Sequence, residues 1–210
     1  MSNEWFIIAN GLSNSGKTVS FLEGVIKKLQ DEKIQYNLNL TAKSGDEINL
    51  VKKAASIGCN KILAIGGDGT VQKVVAGIIL QKSISLEKMT FALIPSGTGN
   101  DWAKSKNIPS NLTGCIRVLK SGKINTQDVG VAIITGNNKK KIRYFVTYSG
   151  VGFDSFMLSR IDKYKWLGKL SYLVCAIMNF AKFQNIAVKI VTSKTEIETS
   201  VFLLGVGICK

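Results

Sequence analysis

Lys61-Ile62-Leu63-Ala64-Ile65-Gly66-Gly67-Asp68-Gly69-Thr70 passes directly from an apolar run into a glycine-rich loop. Val71, Val74, Val75 and Ile78 then recur at helical spacing. The same order returns at Phe91-Ala92-Leu93-Ile94, followed by Pro95-Ser96-Gly97-Thr98-Gly99-Asn100-Asp101 and a short helical stretch to Lys106. A strand that ends in glycines and hands over to a helix brings backbone close to a ligand. It also presents N–H groups and the positive end of the helix dipole to an anion. Two such loops, each holding an aspartate, point to a phosphate and metal site shared between them.

Working outward, Trp5 to Ala9 reads as a strand, and Val19, Leu22, Ile26 and Leu29 fall at helical spacing. A strand near Tyr36 to Leu40 precedes a helix over Glu47 to Ser56, with Ile48, Val51 and Ala55 on one side. Ser110 is placed to cap a helix presenting Cys115, Ile116 and Leu119. Repeated βα units predict an α/β fold over residues 1–121, doubly wound, with a mostly parallel sheet covered on both faces. The pattern changes near Ser121-Gly122-Lys123. Ile124 to Ile134 and Arg143 to Ser149 read as strands around the polar turn Thr135 to Lys141. One long helical stretch, about Phe153 to Phe180, interrupts them, and strands resume at Ile186 to Val191 and Val201 to Ile208. A second, β-rich and sandwich-like domain is therefore expected over residues 122–210, incomplete at its C-terminal end.

Of the 210 residues, 45% are apolar, enough for a sizeable core and too many for a disordered chain. Cys59, Cys115, Cys175 and Cys209 are far apart and form no CxxC pair. They read as buried thiols in a reducing compartment rather than disulfides or zinc ligands. Histidine is absent, so acid–base work falls to carboxylates, Lys or Tyr. The polar start at Met1 to Glu4 does not read as a signal peptide, and a cytoplasmic location is expected.

The net charge is +14, from 28 basic and 14 acidic residues. Solvated lysines are one reading; attraction to anionic lipid headgroups or to nucleic acid are the others. Lysines cluster at 139, 140 and 141 and at 163, 165 and 169 without any nucleic-acid module beside them. A peripheral position on an anionic membrane surface, and no nucleic-acid partner, is the expectation. The apolar section from Tyr164 to Phe180 is too short to span a bilayer. It reads first as a helix packed on the second domain, and second as an interfacial helix with Trp166 at headgroup depth.

Gly11-Leu12-Ser13-Asn14-Ser15-Gly16-Lys17-Thr18 satisfies the phosphate-loop pattern GxxxxGK[ST] between a strand and a helix. A matching second motif should be an apolar strand ending directly in Asp, whereas Gly66-Gly67 separate Ile65 from Asp68. Nor does that pattern account for the loop at residues 95–101. The turn at residues 10–18 is still expected to face nucleotide through Lys17 and its amides, the other reading being an ordinary βα turn. Asp68 alone could bind Mg²⁺, orient a nucleophile, or merely offset a helix dipole, worth roughly 0.3–1 kcal/mol. Asp101 carries the same ambiguity, and Asn100 alone is no more than a cap. Their joint occurrence decides between these.

The GGDGT of residues 66–70 with the PSGTGND of residues 95–101 resembles the catalytic domain of the diacylglycerol and sphingosine lipid kinases, especially the bacterial soluble members. The likeness runs essentially the whole chain. Asn10 to Lys17 is similar to the family's NPxSGxGK turn. Thr41 and Gly45 fall where it has a threonine and a glycine. Gln127-Asp128-Val129-Gly130 is similar to its DxG segment, and Tyr148 to Asp154 to its aGxGFDa segment. The resemblance implies ATP bound between the two domains, lined by Asn10, Gly11, Leu12, Ser13, Asn14, Thr41, Gly66, Gly67, Asp68, Gly69, Thr70, Val71, Gln72 and Thr98. It implies an acidic network of Asp68, Asp101 and Asp128, with Mg²⁺ placed at Asp68 and Asp101. A lipid hydroxyl, diacylglycerol-like, would then receive the γ-phosphate.

Several positions depart from the family pattern. Gly11 replaces the usual proline and Asn14 the usual glycine; Asp46 stands where many members have histidine, and Lys73 where glutamate is common. Gly205 to Lys210 matches only the beginning of a stretch that in the family continues to an acidic segment and the general base. The expectation is that this chain alone binds nucleotide weakly and transfers phosphate poorly, and that its unpaired last strand invites a homo-oligomeric contact. Two other classes stay open: an NAD kinase-like or sugar-phosphate kinase using GGDGT alone, and a non-catalytic nucleotide-binding module.

Overall fold

The structure, a computed structural model, describes residues 4–10, 16–136 and 139–208. The first stretch alternates as expected: β1 (Trp5–Ala9), α1 (Gly16–Asp31), β2 (Tyr36–Leu40), α2 (Asp46–Ser56), β3 (Lys61–Gly66), α3 (Asp68–Leu80), β4 (Thr90–Pro95), α4 (Asp101–Ser105) and α5 (Leu112–Ser121). The four strands form one parallel sheet in the order β2-β1-β3-β4. Side chains of β1 alternate between its faces. Phe6 and Ile8 join Val51, Ala54, Val71, Val74 and Trp102 from α2, α3 and α4. Ile7 and Ala9 join Val25, Leu29, Cys115 and Ile116 from α1 and α5 on the opposite side. Helices thus cover both faces, and β1 and β3 are buried after their first residues, as a doubly wound α/β sheet requires.

The strand order carries a functional consequence. The chain leaves β1 for β2 on one side and returns past it to β3 on the other, so the order reverses between β1 and β3. In open α/β sheets, ligands bind at the carboxyl ends of strands at such a switch point. The loop after β3 begins at Gly66-Gly67, on that edge.

Two local expectations are corrected. Asn111, not Ser110, caps α5: its Oδ1 accepts the Gly114 N–H at 2.7 Å. Asn is at least as good a cap as Ser, and its place one residue later fits the helix start. In α1, Val19 is exposed and Val25 with Leu29 carries the buried face.

After Ser121 the architecture turns antiparallel. The strand expected from Ile124 begins only at Gly130, because residues 122–129 are mostly polar and do not alternate. β5 (Gly130–Gly136) then pairs with β6 (Lys139–Phe145). The chain divides into two compact units, Met1–Thr147 with Ile208–Lys210, and Tyr148–Gly207. The boundary expected at residue 122 marks the change of architecture and lies inside the first unit.

The second unit holds β7 (Tyr148–Gly152), α6 (Phe153–Leu158), a 3-10 stretch (Ile161–Leu170), α7 (Ser171–Phe180), β8 (Ile186–Val191), β9 (Glu196–Val201) and β10 (Leu203–Gly207). β7 pairs with β10 and β8 with β9, both antiparallel. The single long helix expected over Phe153 to Phe180 is broken, most sharply at Gly168, whose φ is 56°. The last strand is likewise split, Val201 ending β9 and Phe202 turning toward the aromatic core. That core gathers Phe153, Met157 and Cys175 with Phe156, Phe183 and Phe202; the Phe153 and Phe202 rings stack at 4.6 Å. Among the described residues no helix is long and apolar enough to cross a membrane.

Cys59, Cys115 and Cys175 are free and buried, and burial pushes the Cys115 thiol up. Cys209 lies outside the described residues.

Candidate active site

The two glycine loops meet through bare backbone. A Cβ added to Gly97 would lie 2.6 Å from the Gly67 Cα, and one added to Gly67 would lie 3.0 Å from the Gly97 Cα. No side chain fits between them. The Ser96 N–H donates to the Gly66 carbonyl at 2.9 Å, which ties the strand ends together just before the loops. Asn100 adopts left-handed backbone (φ 52°, ψ 43°), a conformation Asn tolerates. Its side chain closes the second loop from both ends, accepting the Gly97 N–H at 3.1 Å and donating to the Gly97 carbonyl at 2.7 Å. Asn100 is therefore a loop lock rather than a simple cap.

Asp68 joins the two loops. It opens α3, and its Oδ1 accepts the Trp102 N–H at 3.0 Å, so the carboxylate is anchored by the first turn of α4. Its Oδ2 points back toward Gly99, 3.1 Å from where a Cβ there would stand, and the Asp101 Oδ2 is 3.7 Å from the same point. The two carboxylates thus flank Gly99. Asp101 is largely exposed and pairs with Lys104 at 3.5 Å. An exposed pair of this kind contributes little to stability. Trp102 is buried against Phe91, ring centroids 5.1 Å apart, so the helix carrying the Asp68 partner is held by the core.

Thr41 is buried at the end of β2, with its N–H donating to the Ala9 carbonyl at 3.0 Å. Thr70 and Val71 are buried under the start of α3; Gly69 and Gln72 face outward, and Gln72 donates to the Tyr144 carbonyl at 3.4 Å. Thr98 is exposed in the second loop, and Asn10 is exposed at the end of β1. Gly11, Leu12, Ser13 and Asn14 lie outside the described residues. Asp128 is exposed, with its carbonyl accepting from Gln127 at 2.6 Å. Among the described residues no three carboxylates, cysteines or histidines gather closely enough to hold a metal ion. The structure therefore unites Asp68 with Asp101 and does not add Asp128 as a third ligand.

This donor set still fits a magnesium ion, which is commonly bound by one or two carboxylates together with substrate phosphates. Asp68 and Asp101 would hold it, neutralising charge on the phosphates. The first turn of α3, a helix of ordinary length opening on glycines, suits the phosphates themselves. One contributor escaped the sequence. The Trp102 N–H is backbone, and no residue type announces it.

Residues 4–132 match the diacylglycerol kinase catalytic domain. The chain belongs to that family. Among curated relatives it is 28% identical over 169 residues to the "Probable lipid kinase YegS-like" of Klebsiella pneumoniae, covering 80% of this chain and 53% of the relative. Its similarity to the protein of the same description in Yersinia enterocolitica is 25% over 203 residues, 96% of this chain and 64% of the relative. The chain thus spans between about half and just under two-thirds of the length of these relatives. A crystal structure of a diacylglycerol kinase from Bacillus anthracis superposes with a TM-score of 0.70 at 23% identity, covering 98% of this chain and 64% of the other. That likeness concerns the fold: a parallel α/β core with added antiparallel strands.

Proposed function

We propose that the chain is the catalytic region of an ATP-dependent lipid kinase, transferring the γ-phosphate of ATP to the hydroxyl of a diacylglycerol-like lipid at an anionic membrane surface. The observation that carries the reading is the Asp68–Trp102 bond, which fixes a carboxylate between two touching glycine loops beside the switch point of the sheet. Membership of the family supports kinase chemistry; ATP, Mg²⁺ and the lipid acceptor belong to this proposal. Phosphoryl transfer rests mainly on positioning and charge neutralisation, and rigid amide-lined loops with anchored carboxylates suit both.

In this reading the α3 amides orient the phosphate chain, while the Trp102 N–H keeps Asp68 turned so that one oxygen remains available. The excess of basic residues, 28 against 14, draws the protein to anionic lipid. The test is transfer of labelled phosphate from ATP to diacylglycerol in vesicles containing anionic lipid, with Mg²⁺. Transfer should fall at least about a hundredfold in Asp68→Asn. ATP binding without turnover on lipid, NAD or sugar phosphate would replace it with the non-catalytic module, and turnover on NAD alone with the NAD kinase-like reading.

A further inference from the structure

One charge pair with a buried carboxylate and a half-buried ammonium lies outside the residues assigned above. Glu47, only 5% exposed, sits in the first turn of α2. Its Oε2 accepts the Gly45 N–H at 3.1 Å, and its Oε1 takes the Lys73 ammonium at 3.5 Å. Lys73, on α3 one residue beyond Gln72, also donates to the Ser44 Oγ at 3.1 Å. The neighbouring Asp46 Oδ2 accepts the N–H groups of both Ala42 and Lys43, each at 2.9 Å. The turn from residue 41 to 46 is therefore held at one end by Ala9 of β1 and at the other by Lys73 of α3. The two helices are also locked side by side: a Cβ at Gly77 of α3 would come within 2.9 Å of the Val51 Cβ and 3.1 Å of the Ile48 Cα on α2.

An ion pair of this kind, its carboxylate desolvated and its ammonium still reached by water, is a poor source of net stability. Its value lies in fixing geometry, and what this pair fixes is one turn. That turn follows β2, two strands from β3 in the sheet order, so it stands about 10 Å from the glycine loop along the same carboxyl edge. This separation is comparable to that between the phosphates of a nucleotide and its base.

We infer that Glu47 and Lys73 are positioning residues, which tie the turn at residues 41–46 to α3 so that it receives the ribose and base of a nucleotide whose phosphates lie on the glycine loops. The inference rests on the nucleotide reading above and adds the orientation of the ligand. Substituting either partner should loosen the outer turn and leave the phosphate end unchanged.

Calorimetric titration of the whole chain with ATP and, separately, with inorganic tripolyphosphate tests this. Lys73→Gln and Glu47→Ala should weaken ATP about fivefold to tenfold, leave tripolyphosphate within twofold, and speed amide hydrogen exchange at Gly45. Lys73→Arg, which keeps the charge, should recover most of the ATP affinity. Equal loss for both ligands, or none for either, overturns the inference, as does unchanged exchange at Gly45 in Glu47→Ala. Should these variants fail to fold, Ser44→Ala removes only the outer bond and should show the same selectivity on a smaller scale. A wild-type chain that binds tripolyphosphate but not ATP overturns the orientation alone. Binding of neither removes the nucleotide reading itself.

Discussion

The two compact units solve the problem of burial differently. In the first, a four-stranded parallel sheet is covered on both faces, and Ile7, Ile8, Ile62 and Leu63 are wholly inaccessible. In the second, strands occur as two-stranded pieces, and the core is a knot of phenylalanines around Phe153. Leu173, Ile177 and Phe180 of α7 are more than half exposed. Two-stranded sheets bury little and are marginal without further packing. The comparison explains where the candidate site is built. Loops that must hold carboxylates to within a fraction of an ångström are carried by the unit with the continuous sheet.

Substitutions in each core probe that contrast. Phe153 contacts the rings of Phe156, Phe180, Phe183 and Phe202, so Phe153→Ala should cost about 3–5 kcal/mol. Hydrogen exchange should rise throughout α6 and α7 while β1 and β3 keep their protection. Equal loss in both units would erase the distinction between them. Leu63→Ala, in the opposite core, should cost about 2–5 kcal/mol and lower the denaturant midpoint reported by buried Trp102. If the exposed Trp166 of the second unit responds at the same midpoint, the units unfold together. Asn111→Ala should remove about 1 kcal/mol through the lost α5 cap, and Asn111→Asp should restore most of it.

The smallest effect concerns pH. In the second unit, desolvation raises the Tyr148 and Tyr172 phenols, and the Asp154 carboxylate raises both further. A raised tyrosine favours its neutral form in the fold. Its stabilisation is present in full below the ordinary value near 10 and is lost as pH rises through the folded value. Asp154→Asn should move the phenolate absorbance titration to lower pH, and an unchanged curve would show that Asp154 does not act on these rings.

The βα repeat was legible because parallel strands are short apolar runs and their loops announce themselves with glycine. Within that frame the start of α3 and the pair Asp68 and Asp101 could be read directly. What could not be read were contacts between distant backbone groups. Nothing in the order of residues tells that Gly67 touches Gly97, that the Trp102 N–H seeks Asp68, or that Glu47 meets Lys73. In the second unit, helical periodicity continued through Gly168 although its left-handed backbone breaks the helix there. Periodicity records which residues are apolar and is blind to a single reversed dihedral.

The bare contact between Gly67 and Gly97 has one more consequence. Neither loop can change its path without displacing the other, so their conformations form one joint set rather than two independent ones. Conformational entropy is then lost once for the pair, when the protein folds, and a ligand arriving at either loop finds the other already in place.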